Sequence, residues 1–120
     1  MSIVYHIAER DTWRTAVALG GYVDASLSAE GFIHCSTPEQ VLQVANAFFR
    51  GRTGLVLLTI DTSRLRAEIR YENLEGGTEL YPHLYGPLNL DAVVSAVPFE
   101  PDETGRFVLP PPPEGEWAGV

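Results

Sequence analysis

The chain contains no lysine, and all eight of its basic residues are arginine. That absence removes Schiff-base chemistry, a lysine general base and the phosphate-holding lysine of a P-loop together. Cysteine is nearly absent too. With Cys35 alone no internal disulfide can form, and the simplest redox compartment is the cytoplasm. No apolar run approaches the roughly 20 residues needed to span a bilayer, and the N-terminus lacks a basic-then-apolar leader pattern. Positive charge is scarce: 16 acidic residues face 8 basic ones, for a formal charge of −8. That balance argues against a nucleic-acid partner, which would require neutralised phosphates. A local arginine patch remains compatible with one small phosphorylated ligand.

The remaining composition is that of a globular protein. Hydrophobic residues make up 45% and charged residues 20%, which places the chain outside the disordered class. Residues 1–109 read as one domain, and 110–120 as a proline-rich tail that is extended or disordered. Ser2 to Ala8 alternate as a strand, with His6 on the less bulky face beside Val4 and Ala8. Asp11 reads as an N-cap for a helix over Thr12–Leu19, with Trp13, Ala16 and Val17 as its buried stripe and Gly20-Gly21 as its stop. A loop through Ser26-Leu27-Ser28 leads to a short strand, Phe32 to Cys35. Thr37-Pro38-Glu39-Gln40 then carries a cap, a first-position proline and a capping-box glutamine. It starts a helix from about Pro38 to about Phe49, with Val41, Val44, Ala45 and Phe48 inward. Leu55–Ile60 is a doubly buried central strand, Ile69–Tyr71 another, and Ala92–Phe99 the last. The order predicts an α+β fold, two helices packed on a mixed or split sheet.

All three histidines occur in unusual settings, and histidine is the side chain most easily tuned near neutral pH. In an extended segment His34 shares a face with Phe32 and Ser36, while Ile33 and Cys35 turn to the core. His34 and Ser36 would then present polar groups at the lip of the following helix. The alternative is a core histidine bonded to a loop carbonyl. Cys35 cannot easily use its strand neighbour His34 as a base, so it reads as a buried structural thiol. Pro82, Gly86 and Pro87 stiffen the segment around His83 and Tyr85, which reads as a binding loop or as a turn covering a sheet edge. Asp61-Thr62-Ser63 is turn chemistry, and Glu72 falls near a strand end just before the His83 segment. A three-histidine zinc site is known chemistry, but the spacing here contains no metal-binding motif.

Tyr5-His6, Gly31 to Ser36, and Pro82-His83-Leu84-Tyr85-Gly86-Pro87-Leu88 together resemble the bacterial and plant family called domain of unknown function 952, over nearly the whole chain. That family is more distantly similar to the ADP-ribosyltransferase fold, a split sheet with NAD in its central cleft. The resemblance implies that His6 matches a first-strand histidine on the adenosine ribose, and that His34 lies toward the nicotinamide. Phe32 to Ser36 and Arg52 to Asp61 are also similar to the corresponding parts of RNA 2′-phosphotransferases. The late-strand glutamate typical of ADP-ribosyl transfer is missing: Ala92 to Phe99 carry no acid before Glu100.

The expectation is a cytoplasmic protein, without a membrane or nucleic-acid partner, whose polar cleft binds NAD or a related nucleotide. It would cleave the nicotinamide bond or transfer ADP-ribose. His6, Ser36 and Tyr85 would bind the cofactor, and His34, Glu72 and His83 would carry the chemistry. The alternatives are a non-catalytic ligand- or protein-binding module that has lost its carboxylate, and a histidine-ligated metal hydrolase.

Overall fold

Alternation in the first strand translates directly into burial. In the computed structural model, which describes residues 2–74 and 76–110, β1 (Ile3–Glu9) turns Val4, His6 and Ala8 fully inward. The less bulky face is thus the core face, and His6 is buried. The strand runs straight into α1 (Arg10–Leu19), two residues earlier than an Asp11 cap would place it. The Arg10 N–H is satisfied by the Gly54 carbonyl at 2.9 Å, so the helix needs no side-chain cap. Trp13 and Ala16 are buried, while Val17 stays exposed. Gly20, at φ +86°, closes the helix by donating to the Ala16 carbonyl.

The loop expected through Ser26-Leu27-Ser28 is a helix. After β2 (Gly21–Tyr22), Asp24 caps α2 (Ala25–Glu30) by accepting from the Ser26 N–H at 2.9 Å. None of its six residues is buried, so no apolar stripe announced it. β3 (Ile33–His34) follows, with Ile33 and Cys35 in the core as expected. The segment Thr37–Gln40 is a turn that leads into the helix, with the Gln40 and Val41 N–H groups both bonding the Thr37 carbonyl. Gln40 Oε1 accepts from the Thr37 N–H at 3.1 Å, the return half of a capping box. Helix α3 (Val41–Phe48) buries Val41 and Ala45, and leaves Phe48 75% exposed.

Strand β4 (Leu55–Asp61) is the central strand that its apolar run predicts, lying between β1 and β8 (Val93–Phe99). Val56, Leu58 and Ile60 on one face join Trp13, Tyr22 and Ile33; Leu55 and Leu57 on the other pack with Val41, Phe99 and Phe107. The Asp61 carboxylate caps the turn after β4, accepting from the Ser63 N–H and hydroxyl. β5 (Glu68–Glu72) and β6 (Tyr81–Tyr85) form a second sheet in the order β3-β6-β5, and β2 pairs with β7 (Leu88–Asn89). The fold is α+β, with three helices and three small antiparallel sheets among the described residues, where two helices on a mixed or split sheet were expected. The proline-rich tail predicted for 110–120 lies outside the described residues except for Pro110.

The largest correction concerns His83 and Tyr85. They lie on a central strand, not a loop, although Pro82 is an unfavourable residue there. The Pro82 carbonyl accepts from the Cys35 N–H, so its nitrogen also faces the β3 side, where that short strand has already ended. The proline therefore removes no bond from the β5 ladder. Gly86 lets β6 pass close to Ala67, whose Cβ lies 2.7 Å from where a Gly86 Cβ would sit. No helix among the described residues is long and apolar enough to cross a membrane.

Because β4 separates the two cores, truncating a side chain on either of its faces should loosen the core on that side. Leu58→Ala, at a fully buried site, is expected to cost about 2–5 kcal/mol of unfolding free energy, read from a urea midpoint.

Candidate functional site

The sheet containing β1 and the sheet containing β3 meet along one seam. Tyr5 and Ser36 exchange backbone hydrogen bonds of 2.7 and 2.8 Å, and His6 Nδ1 reaches the His34 carbonyl at 2.5 Å. Beside this seam opens a cleft of about 470 Å³. His6, His34 and Ser36 line it, as do Tyr22, Asp24 and Ser26, with Phe48, Phe49, Arg52 and Tyr81 at other points of the wall. Val44 and the exposed Phe48 connect it to α3, which explains an apolar ring left outside the core.

At the polar end His6, Tyr22 and Asp24 form a closed triangle. Tyr22 OH donates to Asp24 Oδ2 at 2.9 Å, and His6 Nε2 lies 2.8 Å from the Tyr22 oxygen and 3.1 Å from Asp24 Oδ2. A carbonyl can only accept, so Nδ1 carries a proton toward His34. The His6 hydrogen bond, aided by the Ser26 N–H, holds the Asp24 carboxyl well below the usual aspartate range despite partial burial. Burial pushes the Tyr22 phenol far up, and the Asp24 charge beside it adds to the effect.

Both ring nitrogens of His6 are therefore engaged inside the protein, and the atoms turned to the cleft belong to its neighbours. Ser26 Oγ is shut off from solvent without a hydrogen-bond partner, an arrangement that costs about 1–3 kcal/mol. Sequence reasoning missed Tyr22, Asp24 and Ser26. The alternation Tyr22-Val23-Asp24, with Val23 exposed, was the available signal that the first and third share a face.

His83, Tyr85 and Glu72 assemble elsewhere, on one face of the β3-β6-β5 sheet and outside the cleft lining. Glu72 Oε1 accepts from Tyr85 OH at 2.5 Å and from His83 Nδ1 at 3.0 Å, and these two bonds lower its pKa, Tyr85 foremost. The same bond raises the Tyr85 phenol. Phe32 stacks on His83 with centroids 4.2 Å apart, and the Arg70 guanidinium lies 4.4 Å over the Tyr85 ring. His34 joins the two regions: it lines the cleft, meets the His83 ring edge-on at 5.6 Å and pairs with Glu30. Its side chain is 55% exposed, unlike His6 and His83. Among the described residues no three His, Cys, Asp or Glu side chains converge as a metal ligand set.

A family model described as a protein of unknown function (DUF952) matches residues 7–96. The chain belongs to this family. It is similar to protein CC0527 from Caulobacter crescentus, whose crystal structure is 34% identical over 89% of this chain and 94% of that one, with a TM-score of 0.80. The solution NMR structure of CC0527 agrees, at 36% identity, 88% and 91% coverage and a TM-score of 0.77. No curated protein matches the chain.

Two measurements check this geometry. The Asp24 carboxyl is depressed by folding, so its contribution is complete above the ordinary aspartate pKa of about 4 and is lost as pH falls from there toward its native value. Asp24→Asn should lower stability at neutral pH and flatten the acid limb of a stability–pH curve. Burial pushes the Cys35 thiol up to about 12, so alkylation should label the protein only in denaturant.

Proposed function

We propose that the cleft binds a small nucleotide-type ligand, with NAD as the leading candidate. The observation that carries the reading is the cleft itself: a cavity of about 470 Å³, of ligand size, with a hydrogen-bonded His6–Tyr22–Asp24 triangle at one end and aromatic walls beyond. The flat faces of Phe48, Phe49 and Tyr81 suit a heterocyclic ring, and the polar end suits sugar hydroxyls. Arg52, which also pairs with Glu9 and stacks on Phe49, is the one arginine among the described lining residues and suits a phosphate. The distant sequence resemblance to the ADP-ribosyltransferase fold supports the same ligand. In this reading His6 is a positioning residue that orients Asp24, and His34 and Ser36 flank the ligand.

Cleavage of the nicotinamide bond or ADP-ribosyl transfer would require a negative charge facing the reacting ribose. Glu72, the acid first suggested for that role, is outside the cleft lining and already accepts two hydrogen bonds. Of the two carboxylates in the lining, Glu9 pairs with Arg52, which leaves Asp24 for such a step. A second reading, binding without turnover, is favoured by the acid-free strand Val93–Phe99 and by the engagement of Glu72.

Titrating NAD into isotope-labelled protein tests the proposal. Millimolar NAD should shift amide and ring signals of His6, Tyr22, His34 and Ser36 while leaving Glu72 and Tyr85 nearly still. An undisturbed spectrum would sink the nucleotide reading. Nicotinamide release, assayed in the same samples, separates turnover from binding alone.

A further inference from the structure

We infer that Asp24 and Ser26 form a subsite for the two neighbouring hydroxyls of a ribose, and that it rejects a ribose carrying a phosphate there. The inference takes its ligand from the nucleotide reading above but its geometry from these side chains alone.

The carboxylate of Asp24 offers about four acceptor positions. Oδ2 accepts from the Tyr22 hydroxyl and lies 3.1 Å from His6 Nε2, and Oδ1 accepts from the Ser26 N–H at 2.9 Å. One position on Oδ1 remains, on a residue that lines the cleft. Ser26, whose N–H holds Oδ1 and which also lines the cleft, has its Oγ buried and without a partner. Buried hydroxyls are almost always paired, so an orphan in a cleft wall calls for an explanation. A ligand hydroxyl is one, reached by rotation of the serine side chain toward the cavity that Ser26 lines.

The chemistry of the pair narrows the ligand. Asp24 can only accept, whereas a serine hydroxyl both donates and accepts. Two vicinal hydroxyls match this set: one donates to Oδ1 and the other exchanges a hydrogen bond with Oγ. A deoxyribose leaves one of these groups unpaired, and a phosphate brings charge against charge. The lining carries Glu9 and Asp24 against Arg52, so there is no surplus of positive charge to offset an added phosphate. A carboxylate facing a ribose is the arrangement that favours an unmodified sugar over its 2′-phosphate in dinucleotide sites generally. The low pKa of Asp24 keeps that charge present throughout the neutral range.

Calorimetric titration of the whole chain with NAD and with NADP tests this. The unmodified protein should bind NAD at least about tenfold more tightly than NADP. Ser26→Ala should weaken NAD binding severalfold while leaving the melting temperature equal or higher, because it deletes an unsatisfied group. A merely structural serine would not produce that combination. Asp24→Asn should weaken NAD and bring the two affinities within a few-fold of each other. If that variant does not fold, Ser26→Ala decides alone. Equal affinities for NAD and NADP in the unmodified protein, or NAD binding indifferent to Ser26→Ala, would overturn the subsite. If NAD does not bind at all, free ribose and deoxyribose at high millimolar concentration replace it, read from the Tyr22 and Ser26 amide signals. A response to ribose but not to deoxyribose retains the subsite and removes the nucleotide reading. No response, or the same response to both, overturns the subsite as well.

Discussion

The candidate site depends on the seam at which β1 meets the segment after β3. Two backbone hydrogen bonds between Tyr5 and Ser36, and one from His6 to the His34 carbonyl, are what hold two separate sheets edge to edge. Each bond is ordinary in strength, about 0.5–1.5 kcal/mol net, but none of the three groups could be left unpaired in a buried setting without a larger cost. Joining the sheets at one short bridge rather than along full strands leaves the space beside it open. The cleft is the consequence of an incomplete ladder.

That seam also explains why His6 is buried. Its ring is fixed at one nitrogen by the chain it helps to dock, and at the other by Tyr22 and Asp24 from the next part of the chain. A histidine in this position transmits the geometry of the sheet junction to a carboxylate at the cleft. The arrangement is notable in a chain of net charge −8, where most carboxylates can lower their energy simply by facing water. Asp24 is half withdrawn from water and keeps its charge because three donors surround it. The Glu72 group repeats the pattern on the neighbouring sheet, with Tyr85 and His83 as donors. His34 stands between the two, the most exposed histidine of the three.

Which elements could be read in advance follows from how local their causes are. β4 was legible because a run buried on both faces is continuous in sequence, and the stop of α1 because Gly20 alone can take φ +86° there without strain. The start of α1 was misplaced because its first N–H is satisfied by Gly54, a partner far along the chain. α2 was invisible because a helix with no buried residue has no apolar period. His83 and Tyr85 read as loop residues because prolines are local signals for loops, and nothing local reveals that Pro82 faces a side where β3 has already ended. In the site itself, His6, His34 and Ser36 were found as cleft residues, while Tyr22, Asp24 and Ser26 were hidden in a segment without distinctive composition.

By itself the sequence determined the α+β class, the central strand, the buried cysteine, the family, and the fact that three histidines sit in settings unlike ordinary core. These properties depend on residue type and near-neighbour spacing, which the chain carries openly. Only the tertiary structure decided that the histidines divide between a cleft and a sheet face, and that Asp24 is the carboxylate at the polar end of the cleft while Glu72 is engaged elsewhere. Such choices are made by strand pairing and by the seam between sheets, where residues far apart in the chain satisfy one another's hydrogen bonds.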